Sequence, residues 1–287
     1  MDGMVPTLQI NLDEVRELAQ VVAGVAGVVA TQGFHLRVPP GSPATDSVSL
    51  HLSHGIQRVD LLLAYTADSA ADELTRAVEG IATYAFQGAN WARRTELAAM
   101  GLDVDDLPQP PPVSSARDER SFDLPSPSRP ELDSSDHRAL SDAVLLSNGA
   151  QNVAHVPADI ARIRTASATL HECARRLRAA MSSGARPAAM VERFGSWLDE
   201  EFASALEARE QAMTSWAERY NKARHEVEQP ARLYIRWLSA AVGGGGQEQS
   251  GLHEAAAQAR EAMRAYSTVS FESAECGDHP RLTRDAT

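Results

Sequence analysis

Histidines that are followed directly by a glutamate are the first candidates for chemistry in this sequence. His171-Glu172 and His253-Glu254 each begin like the zinc-binding motif of a metalloprotease, which needs a second histidine four residues after the first. Neither pair has that second histidine, so two zinc ligands cannot share one face of a helix. The sequence therefore predicts no metalloprotease site.

Other polar groups offer weaker candidates. His51 and His54 are three residues apart and could bind a metal, but a solvated helix face is the preferred interpretation. The glycines at 243–246 lack the Lys and Ser/Thr of a phosphate-binding loop, so they predict a turn between helices. The acidic run 199–201 beside Trp197 has no second group for acid–base catalysis and predicts another solvated helix face. We therefore predict no catalytic residue, no metal site and no cofactor, and a protein that is not an enzyme.

An aromatic pair is the most ordered constellation in the chain. Tyr84 and Trp91 are seven residues apart, at the end of a long apolar periodic run. Seven residues make about two helical turns, so both rings are expected on one face of a helix. Two interpretations stay open: a docking surface for another protein, or ordinary aromatic anchors that close a helical hairpin.

Composition and charge narrow the function classes. The chain has 287 residues and a formal charge of −12, which argues against a general nucleic-acid binder and against docking on an anionic membrane. Frequent alanine and an aromatic content of only 5% favour closely packed helices. Cys173 and Cys276 fit no metal or redox spacing, and both a long-range disulfide and two thiols are compatible with them.

The start of the chain does not look like a Sec signal peptide, because it has no positively charged segment before its first apolar run. That run, residues 21–30, is also shorter than the roughly 20 residues that a membrane span needs. We therefore expect no stable membrane span. Export, if it occurs, is expected to follow a route that does not use a signal peptide.

Apolar periodicity predicts an all-α protein. A stripe that begins at Leu12 predicts a first helix that ends near Gly33, and a second helix is expected after Asp46. The stripe of the second helix is predicted to run through Leu52, Ile56, Val59, Leu63, Ala67, Ala70, Leu74, Ala77, Ile81, Tyr84, Gly88 and Trp91. Two such helices joined by a short Pro/Gly loop are expected to form an antiparallel hairpin that buries both stripes.

A proline-rich stretch divides the chain. Residues 106–130 predict an extended linker between a hairpin at 1–105 and a second helical domain at 131–287. Pro230 is expected to kink a long helix of the second domain. The helices predicted in this domain span residues 136–146, 158–181, 188–242 and 252–271.

Residues 8–16, residues 71–74 and the tail Tyr84-x-x-x-Gly88-x-x-Trp91 carry a resemblance to a known group of proteins. With them, the hairpin resembles the EspC-like and PE-like helical hairpins of actinobacterial type VII secretion. In those families the tail reads Tyr-x-x-x-Asp/Glu and is part of the export signal. The resemblance implies that role for Tyr84, Gly88 and Trp91, with Gly88 standing where those families have the acidic residue.

The C-terminal part carries a looser resemblance. The segment 194–197, which ends in Trp197, falls where the PPE-type helical domain has Trp-x-Gly at a turn between helices. Residues 230–240 and 255–266 are similar to helices of that domain, and Asp199 stands where the family has the glycine. The resemblance implies that Trp197 belongs to the same docking end of the bundle as the aromatic pair.

The order of hairpin, linker and PPE-like domain resembles that of the EspB-like proteins, which look like fused PE–PPE pairs. This resemblance implies an elongated helical bundle in which the hairpin packs with the PPE-like domain. It also implies a type VII secretion substrate or secretion-associated protein, found in the medium or the cell envelope. Its partners would be the secretion machinery or a cognate chaperone. The alternative is a cytoplasmic helical adaptor that is not exported, and self-association into a homo-oligomer stays open.

Overall fold

A computed structural model describes residues 12–38, 40–100, 130, 135–150, 155–179, 188–242, 251–271, 274, 276, 279 and 280. Regular structure in these ranges is entirely helical, which confirms the predicted all-α class. The elements are α1 (Leu12–Leu36), α2 (Ser47–Ala99), α3 (Asp136–Ser147), α4 (His155–Ala179), α5 (Ala188–Trp197), a π-helical turn (Leu198–Phe202), α6 (Ala203–Glu226), α7 (Glu228–Val242) and α8 (Leu252–Ser267).

Helices α1 and α2 form the predicted antiparallel hairpin. One face of α1 is buried through Val15, Leu18, Val22, Val25 and Val29. At Gly33 the two helices approach so closely that an added Cβ would lie 3.2 Å from the Ala64 carbonyl oxygen. Helix α1 does not end there but continues to Leu36, because this glycine provides close packing against α2 rather than a stop.

Helix α2 is the longest element, with 53 residues, and therefore extends about 80 Å. It begins where the sequence predicts, because the Asp46 carboxylate accepts hydrogen bonds from the backbone N–H groups of Val48 at 3.0 Å and Ser49 at 2.9 Å. Its stripe is buried from Leu52 onward, but no residue of α2 after Ile81 is buried. The predicted helix is therefore correct, whereas its burial ends well before Trp91.

Helices α4, α5 and α6 pack beside the hairpin and share one apolar core with it. A buried ion pair joins the two parts: Arg209 of α6 donates through Nε and Nη2 to the two carboxylate oxygens of Asp60 of α2, with an Nη2–Oδ2 distance of 2.7 Å. Both side chains are only 1% exposed. Because each charge is removed from water, each needs the other, and the pair locks the hairpin to α6.

Helices α3, α7 and α8 enclose a second, smaller cluster. Leu140, Tyr234 and Leu252 are buried there, and the Tyr234 and Trp237 rings stack with their centroids 5.9 Å apart. The Ser47 hydroxyl at the start of α2 donates to Asp142 of α3 at 2.9 Å. The smaller cluster therefore lies at the end of the bundle where α2 begins.

The single helix predicted over 188–242 is interrupted twice. The π-helical turn separates α5 from α6 within one continuous helical run, and Val227 separates α6 from α7. Pro230 lies in the first turn of α7, where its missing N–H has no helical acceptor to lose. The prediction of a kink inside one long helix is therefore wrong, because the proline stands at the start of a new helix.

By length and composition alone, the segment Asp13–Leu36 could cross a membrane, which corrects the expectation that the apolar run near the start is too short. Core helices and signal sequences share these properties. In this fold α1 buries its valine-rich stripe against α2. Packing within the chain therefore explains why α1 is apolar along this stripe.

The cysteines are not joined to each other: the structure shows no disulfide between Cys173 and Cys276. Cys173 is buried in the shared core, and this burial raises the pKa of its thiol. Apart from Pro130, the linker predicted at 106–130 lies outside the described residues, as do the glycines at 243–246. The division into two domains stays a prediction.

Candidate functional site

The distal part of α2, residues 82–99, carries the aromatic pair on its surface. Tyr84 is 37% exposed and Trp91 is 54% exposed. Since both lie in the same uninterrupted helix, their Cα atoms are separated by about 10 Å along the helix axis. Exposed rings of this kind combine a large apolar area with a polar tip, which suits contact with another protein.

Gly88 lies between the two aromatic residues on the same side of α2 and is partly exposed. A glycine carries no side chain, so the helix backbone between the rings is open to close approach. The structure thus brings Tyr84, Gly88 and Trp91 together on one face, which we call the distal face.

Trp197 has a different environment from the distal face. Its side chain is 3% exposed, stacks on Phe202 with centroids 5.3 Å apart, and contacts the rings of Phe194 and His279. It lies inside the helical run formed by α5, the π-helical turn and α6. The expectation that Trp197 stands at a turn between helices is therefore wrong, because α5 continues directly into the next helical turn.

The structure also separates Trp197 from Tyr84 along the bundle. His279, whose ring centroid is 5.9 Å from that of Trp197, is hydrogen-bonded through Nε2 to the Ser69 hydroxyl of α2 at 2.8 Å. Ser69 precedes Tyr84 by 15 residues, which corresponds to about 22 Å of helix. Trp197 is therefore not part of the distal face.

An open cleft lies beside Trp197. It has a volume of about 460 Å³ and is lined by Glu192, Arg193, Ser196, Trp197, Glu200, Glu201 and Pro280. Glu200 and Glu201 are exposed, as predicted for a solvated helix face. Asp199 is not part of that face: it turns toward α4, where Arg178 Nη2 donates to its Oδ2 at 2.6 Å.

Asp199 belongs to an ionic network centred on His171, one of the histidines that begin a zinc-like motif. Its Oδ1 lies 2.5 Å from Nδ1 of His171, while Nε2 of the same ring lies 3.2 Å from Oε1 of Glu207. The hydrogen bond to Asp199 is the main reason that the pKa of His171 is raised, and the same bond lowers the pKa of Asp199. The Ser167 hydroxyl, 2.8 Å from Glu207, contributes most to lowering the pKa of Glu207.

The other histidine candidates have separate environments. Nδ1 of His253 lies 2.9 Å from the Asp136 carboxylate, and His54 is exposed on α2. Within the described ranges, no group of three or more His, Cys, Asp or Glu side chains has a geometry suited to a metal ion. The polar features that the sequence did not predict are pairings between distant elements, namely His171 with Asp199 and Asp60 with Arg209.

Comparisons with known proteins bear on the fold. No protein-family model and no curated protein sequence matches this chain. The crystal structure of EspB from the ESX-1 type VII secretion system is similar, with a TM-score of 0.58 and 14% identity over 90% of this chain and 96% of that chain. A structure described as a mycobacterial protein is similar with a TM-score of 0.51 and 15% identity, over 90% of this chain and 92% of that one. These similarities show that the chain has an EspB-like helical fold.

Proposed function

We propose that this chain is a non-enzymatic protein of type VII secretion that acts through contacts with other proteins. The observation that carries the proposal is the EspB-like fold, which extends over 90% of the chain. As a substrate or secretion-associated protein, it would reach the medium or the cell envelope by a route that does not use a signal peptide.

The distal face is the proposed docking surface for the secretion machinery or a cognate chaperone. Its support is the exposure of Tyr84 and Trp91 on a part of α2 that has no buried residue. Aromatic side chains of this type often contribute about 2 kcal/mol or more to an interface, which is roughly a thirtyfold change in affinity. Gly88 between them lets a partner approach the helix backbone.

Trp197 is proposed to support this function indirectly. With its ring inside the core, it would stabilise the packing of α5 on α4 rather than touch a partner. Its export role stays a prediction. A Trp197→Ala variant must be compared with the wild type for thermal stability before any loss of export is assigned to docking.

A secretion assay tests the proposal. The tagged chain is expressed in an actinobacterial host with and without a working type VII system, and the culture filtrate is compared with a marker of cell lysis. We expect the wild type in the filtrate only when the system works. Tyr84→Ala and Trp91→Ala should lower the filtrate signal at unchanged cellular level.

Phe34→Ala is the matched control for this assay. Phe34 is 68% exposed on the same hairpin but lies on α1, outside the distal face. Export that falls equally for Phe34→Ala, or that stays unchanged for both distal variants, would contradict a docking role for the distal face.

A cytoplasmic adaptor is the second candidate, and Gly88 is the observation that favours it. This glycine stands where the similar export tails have an acidic residue, so the signal is incomplete. Retention of the wild type in the cytosol with and without the secretion system would support the adaptor. If the wild type is retained, export of the Gly88→Asp variant would show that the chain stays in the cytosol because it lacks this carboxylate.

A further inference from the structure

We propose that His171, Asp199 and Glu207 form a proton-sensitive latch, which holds α4 against the π-helical turn and α6 while the His171 ring carries both of its protons. This proposal does not depend on the proposed export role. It concerns the part of the bundle that contains Trp197 and the acidic cleft, not the distal face.

The His171 imidazole lies between two carboxylates. Nδ1 faces Oδ1 of Asp199 at 2.5 Å, and Nε2 faces Oε1 of Glu207 at 3.2 Å. A neutral imidazole has one N–H and can donate to only one of these carboxylates, whereas the imidazolium donates to both. Two carboxylate acceptors on opposite sides of one ring therefore match the protonated histidine.

Both carboxylates are held in place by further donors. Arg178 Nη2 donates to Oδ2 of Asp199 at 2.6 Å, and the Ser167 hydroxyl donates to Oε1 of Glu207 at 2.8 Å. The hydrogen bond with His171, and next to it the one from Arg178, lowers the pKa of Asp199, while the Ser167 bond contributes most to lowering the pKa of Glu207, so both remain ionised acceptors at mildly acidic pH. When His171 loses one of its two ring protons, one of the two carboxylates therefore faces a ring nitrogen that has no hydrogen to donate.

Asp199 faces α4 from within the π-helical turn, where its carboxylate binds His171 and Arg178. Within this turn Leu198 and Phe202 are buried, Asp199 is half-buried, and Glu200 and Glu201 are exposed. Of the three consecutive acidic residues in the turn, Asp199 is therefore the one that pairs with His171, while the other two face solvent.

Several charged residues lie on the elements around His171. The π-helical turn and α6 supply Asp199 and Glu207, which are the charges that act on the ring. On α4 itself, Arg178 binds Asp199, while Arg175 and Arg176 bind Glu172. The charged residues of α5 that line the cleft are Glu192 and Arg193, and Arg164 of α4 pairs with Glu210 of α6.

The direction of the pH effect follows from the raised pKa of His171. The folded state binds the proton more tightly than the unfolded state, so the stabilisation is complete below the ordinary histidine pKa of about 6.5 and is lost as pH rises through the folded value. Asp199 and Glu207 have lowered pKa values, so they become protonated and lose their bonds to the ring only at much lower pH. The latch is therefore closed at mildly acidic pH and weakens toward alkaline pH.

Weakening the latch should loosen the contact between α4 and the π-helical turn. Arg178 continues to bind Asp199 at higher pH, so the two elements stay associated but open more often. Local opening should therefore become more frequent as His171 loses its second ring proton. Trp197 directly precedes the turn, and the cleft residues Glu200 and Glu201 lie within it, so all three should become more mobile when the latch opens.

Two measurements on the full chain test the latch. Nuclear magnetic resonance of the histidine Cε1–Hε1 groups gives the titration midpoint of His171, which we expect above its ordinary value and which Asp199→Asn should lower. Hydrogen–deuterium exchange, corrected for the intrinsic pH dependence, should show that protection of the π-helical turn falls as pH rises through that midpoint. In His171→Gln the protection should equal the high-pH level of the wild type at every pH.

His54→Gln is the matched control, because His54 is exposed on α2 and has no role in the latch. It should retain the pH dependence of the wild type. A His171 midpoint at or below the ordinary value in the wild type would overturn the proposal. So would exchange at the π-helical turn whose pH dependence is the same in the wild type and in His171→Gln.

Discussion

The proximal and distal parts of α2 have the same apolar period, but only the proximal part has buried residues. In the proximal part, residues 47–81, the stripe from Leu52 to Ile81 is covered by α1 and by the helices of the second half. In the distal part, residues 82–99, the same period continues through Tyr84 and Trp91, and none of its residues is buried. Periodicity thus makes a helix amphipathic, whereas burial depends on whether another element lies opposite the stripe.

The distal part stays helical although none of its residues is buried and Ala85, near its start, is only partly covered by the core. Once a helix is nucleated, each further residue adds a backbone hydrogen bond at little extra cost, so a well-packed proximal part supports its continuation. The distal sequence is rich in alanine, the best helix former, and the Thr95 hydroxyl donates to the Trp91 carbonyl at 3.0 Å. The distal face is thus presented by a continuous helix.

The largest effect is expected from a variant that breaks the ion pair between the proximal part of α2 and α6. Arg209→Met leaves the Asp60 carboxylate buried without its partner, which should lower the free energy of unfolding by about 3–5 kcal/mol in urea denaturation. The double variant Asp60→Leu, Arg209→Met should recover most of this loss, because neither charge remains buried. A single variant that loses less than about 1 kcal/mol would contradict a dry, tightly coupled pair.

The same substitution in the two parts sharpens the comparison. Leu63 is fully buried in the proximal stripe, so Leu63→Ala should cost about 2–5 kcal/mol of unfolding free energy. Leu97 lies in the distal part and is only half-buried, so Leu97→Ala should cost less than about 1 kcal/mol. Equal losses in urea denaturation would mean that the distal part of α2 is covered as the proximal part is.

A smaller effect concerns the start of the proximal part. Burial of Asp46 is the main cause of its raised pKa, so the folded state binds its proton more tightly than the unfolded state does. Its titration therefore favours folding at acidic pH, and this contribution is lost as pH rises through the folded value.

Asp46→Asn keeps a good helix cap and removes the buried charge. The variant should be more stable than the wild type at neutral pH, and the difference should shrink as pH approaches the ordinary aspartate pKa of about 4. Thermal unfolding at a series of pH values measures this difference. A constant difference across that range would mean that burial does not perturb Asp46.

The smallest expected effect lies on the distal face. Tyr84→Ala and Trp91→Ala remove exposed rings, so each should change the free energy of unfolding by no more than about 0.5 kcal/mol. Urea denaturation checks this value on the proteins used in the secretion assay. A loss above about 2 kcal/mol would indicate that the rings are anchors of the fold, which is the second interpretation that the sequence left open.

Much of the fold could be predicted from local patterns, but the candidate site only in part. The face shared by Tyr84, Gly88 and Trp91 follows from their spacing within one helix. The separation of Trp197 from the distal face and the removal of Asp199 from its solvated run do not, because they depend on which side chains of other helices lie opposite. The Pro230 prediction was wrong for a different reason, since a proline fits both a kink and a helix start.

The sequence by itself determined the all-helical class, the start of α2 at the Asp46 cap and the apolar stripes of the hairpin. These features depend on residues within a few turns of one another, so they can be recognised without knowing what lies opposite. Only the tertiary structure decided that burial of α2 ends at Ile81 and that Asp60 pairs with Arg209, 149 residues away. Such pairings arise when separate helices pack against each other, and helical periodicity carries no information about which faces meet.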